Sequence, residues 1–473
     1  MKTLLVTISI AAMSYCQGQI SMVGMSSHGG FGNHGTLFSV TNSGTLDTLY
    51  NFNSGVAGCS PMGSMVTAND GNLYGFTASC GGNGVGTLVR YNPNTKVVTD
   101  VVDFSNTIGD GPMGNLILGT DGALYGMTNS GGTGGSGTIF KCTTTGVLTT
   151  LVNFSGSNGA NPCGTLREGA DGNFYGMTRF GGAKNLGEVF KCSPLGTLTV
   201  LHSFTGTDGE EPLGSLTIVK DSIMYGMTYG GGAYSGGMLF FCTTSGHYRT
   251  LTSFNSTIGM FPMGSLLNAK DGYLYGTTYY GGSSYVGTLF RCNDSGTVSV
   301  LTNFNDTNGA YPMGSLTLAS DGKIYGMTFT GGNLVAKAGA IFCYNIAGGN
   351  LTDVLQFDGN GPKNPQGDLM EINTNVTATN EVAENRSVNL YPNPNKGEFT
   401  LEMNNTETAS VRTKDNVTLQ VYNTVGQMIH TENIQTDTKE STINLGSEPS
   451  GVYLYKVVSD NSGMLANGRF IIQ

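Results

Sequence analysis

The chain has 473 residues, of which 74 are glycine and only 11% are charged, with a net charge of −10. This acidic balance, with no run of Lys or Arg, excludes a nucleic-acid partner, and no stretch beyond the N-terminus is long enough for a transmembrane helix. Glycine this abundant can signal disorder, but its spacing here is periodic and aromatic content is normal at 9%, which points to many tight turns.

The N-terminal segment, residues 1–18, has one lysine, then an apolar run from Thr3 to Met13, then small and polar residues. That pattern predicts a secretory signal peptide with cleavage near Gly18. Cys16 raises a lipoprotein reading, which Tyr15 before it does not favour.

A repeat with a period of 50 residues follows. Tyr-Gly pairs begin at Tyr74, Tyr125, Tyr175, Tyr225, Tyr275 and Tyr325, and prolines keep the same beat from Pro61 to Pro362. A fixed period of this length means one supersecondary unit copied many times. In the unit around Tyr275–Ile324 four short apolar runs alternate or carry β-branched and aromatic residues, as strands do. Asp-Gly separates the first two runs at Asp70, Asp121, Asp171, Asp271 and Asp321. The dipeptide suits a tight hairpin in which both central residues take positive φ. Gly-Gly pairs open the second connection, and no useful 3.6-residue period occurs, so the region reads as all-β.

Four antiparallel strands per unit of this length predict a propeller blade. The Gly-x-Leu-Phe strand recurs from Gly35 to Gly339 in seven copies. The chain enters in the second strand of a blade near Met22 and leaves through a first strand near Leu369. The reading is therefore a seven-bladed β-propeller over residues 19–373, closed by strand exchange between the chain ends, which removes its free edge. The alternative is an open β-solenoid.

Residues 374–387 are polar and aperiodic and read as a linker. Residues 388–473 show short alternating strands and no helix signal. In this segment Leu390-Tyr391-Pro392-Asn393-Pro394, Val421-Tyr422-Asn423, Gly451-Val452-Tyr453-Leu454-Tyr455 and Gly468-Arg469-Phe470 occur in one order. Together they resemble a type IX secretion C-terminal sorting domain. The resemblance implies a small β-sandwich, passage across the outer membrane of Bacteroidetes-type bacteria, the type IX secretion machinery as partner, and a secreted or surface location. The repeat itself, nearly complete over residues 301–342, resembles the GloVer-type tandem repeat of large secreted bacterial proteins, which implies fold and location only.

Cys142, Cys192, Cys242 and Cys292 hold the same place in four units. Equivalent points on neighbouring blades are too far apart for a bridge, so these read as small buried hydrophobes. Cys163 takes the place of Met113, Met263 and Met313 and reads the same way. Cys59 and Cys80 are repeated nowhere and lie in loops that emerge on one propeller face, so a Cys59–Cys80 disulfide fits an exported protein.

His28 and His34 flank the first Gly-Gly loop with no evident carboxylate or Cys partner, so they read as solvated loop residues. No nucleophile elbow, Walker loop or metalloprotease motif occurs. The recurring Asp-Gly aspartates read as turn formers. Glu210 and Glu211 are the only carboxylates named toward a glycosidase pair. No catalytic residue, metal or cofactor is assigned.

The copies diverge just after Tyr-Gly-x-Thr and just before the proline. There Arg179, Phe180, Tyr229, Phe261, Tyr279, Tyr280, Tyr311 and Phe329 gather in the later units, on one face. Clustered aromatics with few charges suit a sugar ring or a protein partner; the competing reading is that they pack between blades. The sequence thus points to a non-catalytic secreted propeller that binds a glycan or protein, with a polysaccharide-active enzyme or a structural surface component as alternatives.

Overall fold

The computed structural model describes residues 20–372 except 56, 221, 333 and 334, and the segments 388–391, 395–403, 417–423, 428–434, 440–446, 448–459 and 463–472. The expected signal peptide and linker therefore lie outside the described residues. The chain divides into two compact units, residues 1–375 and 376–473.

The first unit is all-β. It holds seven four-stranded antiparallel sheets, and each begins with the strand nearest the channel described below. Sheet 1 has the order Met370–Ile372, Ser21–Ser26, Thr36–Thr41 and Leu46–Asn51, so its first strand comes from the other end of the unit. There Ser21 pairs with Ile372 and Val23 with Met370. Sheets 2 to 7 span residues 66–103, 117–153, 167–203, 217–253, 267–303 and 317–356 in simple order.

The Asp-Gly turns differ from the sequence expectation. Gly71, Gly122, Gly172, Gly272 and Gly322 are left-handed, with φ between 72° and 91°, but their aspartates are not. The aspartate is held instead by its own hydrogen bonds. One carboxylate oxygen of Asp171 accepts the Asn173 backbone N–H (3.2 Å) and the other accepts the Tyr175 phenol (2.7 Å). Tyr74, Tyr125, Tyr275 and Tyr325 donate to their own aspartates in the same way. The Asp-Gly-x-x-Tyr spacing is thus a side-chain clamp across the hairpin as well as a turn. From sheet 3 to sheet 7 the glycine after the tyrosine lies beneath a phenylalanine of the third strand: a Cβ on Gly226 or Gly326 would meet Phe240 or Phe342, whereas at Gly75 it would meet Met65.

First strands are shorter than the apolar runs predict, only two residues in sheets 2, 3, 4, 6 and 7. The preceding Gly-Ser or Gly-Thr turns away from its own sheet and bonds to the next one. Ser64 N–H donates to Asn115 Oδ1 (2.7 Å), Asn115 to Thr165 Oγ1 (3.0 Å), and Thr165 to Ser215 Oγ (2.7 Å). Ser215 donates to Ser265 Oγ (2.8 Å), Ser265 to Ser315 Oγ (3.0 Å), and Ser315 to Asp368 Oδ1 (2.6 Å). The glycines one position earlier pack backbone against backbone in a cycle from Gly63 through Gly114, Gly164, Gly214, Gly264, Gly314 and Gly367 back to Gly63. A side chain at any of them would strike the neighbour's main chain, which is why the position is glycine in every copy.

Between sheets the core is aromatic and aliphatic. Tyr175, Met177, Val189, Phe204, Leu216, Met224, Phe240 and Cys242 form one such cluster. Cys142, Cys192, Cys242 and Cys292 are buried and unbonded. Burial pushes their thiols up, Cys192 to about 11 and Cys292 to about 12, as packing residues rather than reactive ones.

The second unit pairs a three-stranded sheet (Val388–Tyr391, Glu398–Met403, Glu440–Asn444) with a four-stranded one ordered Met428–Ile434, Val417–Tyr422, Gly451–Ser459, Gly463–Ile472. Phe399, Leu401, Leu419, Ile443, Val457 and Phe470 from both sheets share one core, which makes it a small β-sandwich.

Candidate functional site

The segments leading into all seven first strands line one cavity of about 370 Å³. Met62, Met113, Leu213, Met263, Met313 and Gln366 contribute from the position after each proline, and Arg179 and Tyr229 stand among them. Around this mouth each sheet presents two variable positions. One follows Tyr-Gly-x-Thr and the other precedes the proline, and their backbones are bonded, as in Tyr279 N–H to Phe261 O (3.2 Å) and Phe329 N–H to Tyr311 O (3.2 Å).

The residue before the proline is left-handed in every repeat: Ser60 (φ 54°), Gly111 (60°), Asn161 (54°), Glu211 (52°), Phe261 (58°), Tyr311 (56°) and Asn364 (52°). The cause is local. Its N–H must turn inward to a loop carbonyl, as Phe261 N–H does to Gly236 O (2.7 Å). Glycine and asparagine accept this backbone readily, whereas a phenylalanine or tyrosine there is strained by about 1–3 kcal/mol.

The predicted residues meet in pairs across sheet boundaries. Arg179 bonds Glu211 through Nη2 (2.8 Å) and Nε (3.1 Å) and lies over the Phe180 ring at 4.7 Å. Tyr229 stacks on Phe261 with centroids 5.0 Å apart and planes at 27°. Tyr311 takes Tyr279 at 5.1 Å and Tyr280 at 6.0 Å. Burial, with Tyr280 next, raises the Tyr311 phenol above its ordinary pKa. Phe329 has no ring partner among the described residues; its carbonyl accepts Asn364 Nδ2 (2.9 Å). These side chains are half-buried, and Tyr280 is 39% exposed. The other half of the mouth carries Ser27, Ser60, Ala78, Gly111, Asn129 and Asn161 at the same positions. Of the two carboxylates named from sequence, Glu211 is committed to Arg179.

Two further features depart from the repeat, the second of them the disulfide expected from the sequence. Deeper in the channel a second cavity of about 320 Å³ is lined by Arg167, Glu168 and Asp368 among hydroxyl, amide and aliphatic side chains. Arg167 Nε donates to Leu216 O (3.2 Å), and burial lowers its pKa against the opposing pull of Asp368. Asp368 also accepts Asn115 Nδ2 (2.9 Å). Secondly, Cys59 and Cys80 are bonded, with Cα atoms 5.3 Å apart, and a ring nitrogen of His34 lies within 4.8 Å of both sulfurs. The expectation that His34 has no cysteine partner is therefore corrected: the partners come from the next repeat, which the sequence places 25 and 46 positions away.

The Gloeobacter/Verrucomicrobia repeat model matches residues 13–224 and 208–389. The chain belongs to that repeat family. Residues 389–473 of this Gloeobacter/Verrucomicrobia repeat protein match the secretion system C-terminal sorting domain, so the chain is exported by type IX secretion to the cell surface or beyond. Among solved structures, a candidate 6-phosphogluconolactonase from Bacteroides fragilis is 16% identical with a TM-score of 0.52, covering 76% of this chain and 99% of its own. Another from Bacteroides uniformis is 14% identical, also with a TM-score of 0.52, covering 75% and 100%. At these identities the likeness is of fold alone. No curated protein matches the chain. No helix among the described residues is long and apolar enough to cross a membrane.

Proposed function

We propose that the seven sheets are the blades of one closed propeller and that this exported protein is a non-catalytic receptor for a glycan chain, held at the channel mouth by the aromatic half of the ring. One observation carries the reading. Phe261 and Tyr311 occupy strained left-handed positions that Gly111 and Asn161 fill elsewhere without strain, and each supports a half-exposed tyrosine beside the cavity. Strain of this kind persists where the side chain is needed. Stacked, rigid rings with little charge offer apolar faces to pyranose rings, and the Arg179–Glu211 pair at the edge of the arc offers fixed polar groups for hydroxyls.

The test is a glycan and polysaccharide binding screen on the exported chain, beside a Tyr229→Ala, Tyr279→Ala, Tyr311→Ala variant whose fold is verified by circular dichroism. Binding by the parent that the triple variant loses supports the site. Binding that survives moves it elsewhere, and a parent that binds no glycan turns the arc toward a protein partner.

A further inference from the structure

Three departures from the repeat converge at one point between sheets 1 and 2. The residue before each third-strand glycine is small or apolar in the other copies, such as Val85, Leu186 and Val286, but is His34 in the first. Two residues before the proline stand Asp110, Ala160, Glu210, Met260 and Ala310 elsewhere, but Cys59 here. The third position accepts the N–H of that same glycine; it is glycine in the other copies, as at Gly131, Gly181 and Gly281, but Cys80 in the second. Cys80 keeps the left-handed backbone of those glycines, with φ 61°, so a strained side chain is retained at this place. The main chain then fixes all three together. Ser60 N–H donates to His34 O (2.8 Å), and Cys59 and Ser79 exchange backbone bonds of 2.8 and 3.2 Å.

A disulfide alone accounts for two of these departures and leaves the imidazole unexplained. The His34 ring nitrogen and both sulfurs all lie within 4.8 Å of one another, the only such group of three among the described residues. Zinc takes sulfur at about 2.3 Å and imidazole nitrogen at about 2.0 Å, so tetrahedral donors stand roughly 3.5 Å apart, within reach of small side-chain rotations here. Cys59 is buried while His34 and Cys80 are partly exposed, which leaves a fourth position open to water.

We propose that His34, Cys59 and Cys80 form a redox-gated zinc site: a disulfide when oxidised, and a Cys2His ligand set for Zn²⁺ with one water when the thiols are free. A dithiol reductant delivers two electrons and two protons to the sulfur–sulfur bond and leaves as its own disulfide. Zn²⁺ then displaces the two thiol protons to solvent as two sulfur–zinc bonds form. A disulfide oxidant then takes two electrons from the thiolates by thiol–disulfide exchange and two protons from solvent, leaves as its own dithiol, restores the Cys59–Cys80 bond and releases the ion.

The experiment reduces the exported chain with a phosphine, removes the reductant without air, and titrates ZnCl2 against a chromophoric chelator. Reduced protein is expected to bind one Zn²⁺ per chain, and oxidised protein none. Cys59→Ser/Cys80→Ser abolishes binding, His34→Ala weakens it at least about tenfold, and His28→Ala leaves it unchanged. Bound zinc also shields Cys59 and Cys80 from alkylation, read by peptide mass mapping. The proposal is overturned if reduced wild type binds no more zinc than the double serine variant, whether or not circular dichroism shows the β fold retained. Equal affinity in His34→Ala overturns it as well.

Discussion

The two halves of the channel mouth share one backbone and fill it differently. From sheet 5 to sheet 7 the variable pairs are rings: Tyr229 on Phe261, and Tyr279 with Tyr280 on Tyr311. From sheet 1 to sheet 3 the same positions carry Ser60, Ala78, Gly111, Asn129 and Asn161, and the loops are held by the Cys59–Cys80 bond and by Asn161 Nδ2 donating to Asn129 O (3.0 Å). Both halves keep the left-handed residue before the proline. Ala78 and Gly111 show that this backbone forms without aromatic stacking. The rings are therefore surplus to the fold, which is the argument for their having another task.

The sharpest test of this contrast is ligand binding. The triple alanine variant of the aromatic half is expected to lose about a hundredfold or more in glycan affinity, while Asn129→Ala with Asn161→Gly in the small half stays within about twofold; titration calorimetry separates the two. Equal losses would break the contrast. Stability comes next and should run the other way. Cys59→Ser/Cys80→Ser, closing a separation of 21 residues, is expected to cost about 3 kcal/mol in guanidinium unfolding. A larger loss from the triple alanine variant would mean that the rings hold the fold.

Smaller effects probe the shared backbone. Gly111→Phe places an aromatic at φ 60° with no stacking partner, for a cost of about 1–3 kcal/mol. Phe261→Gly relieves that strain but loses a stacked pair of about 0.5–1.5 kcal/mol, so its net change in unfolding midpoint should be near zero. The hairpin clamp belongs to both halves and responds to pH. Burial raises the Asp171 carboxyl, but hydrogen bonds from Asn173 and Tyr175 outweigh it and hold its pKa below the ordinary value. Its contribution is complete above about pH 4 and is lost as pH falls through the lowered folded-state value. Tyr175→Phe should cost about 1 kcal/mol at neutral pH and flatten the acid limb. Tyr225→Phe should leave that limb unchanged, because Tyr225 donates to the Asp294 carbonyl (3.3 Å). Least of all, Arg179→Ala removes a half-exposed ion pair at the edge of the aromatic half, for less than about 1 kcal/mol that added salt erodes further.

How much was legible varied with how local the cause is. The period of Tyr-Gly and proline announced the four-stranded unit because each strand and turn is specified within 50 residues. The order of motifs in residues 388–473 announced the sorting domain for the same reason. The clustering of Tyr229, Phe261, Tyr279 and Tyr311 was visible as divergence between copies. Their pairing was not, because each ring meets one brought by the next inter-sheet loop. The Asp-Gly turn was half right: the glycine conformation follows from the dipeptide, whereas the aspartate conformation depends on a tyrosine hydroxyl four positions on.

The sequence by itself determined the β architecture, the repeated unit, the export tail and the positions where copies differ, since periodicity, turn chemistry and local motifs are properties of neighbouring residues. Only the tertiary structure decided which of those differences meet. It set His34 beside Cys59 and Cys80, aimed Arg167 and Asp368 into one channel, and turned each Gly-Ser segment out of its own sheet toward the next. The Gly-Ser contacts join equivalent positions one repeat apart and the others join residues that no period relates, and in both cases packing of one sheet against another, not any residue's own preference, brings them together.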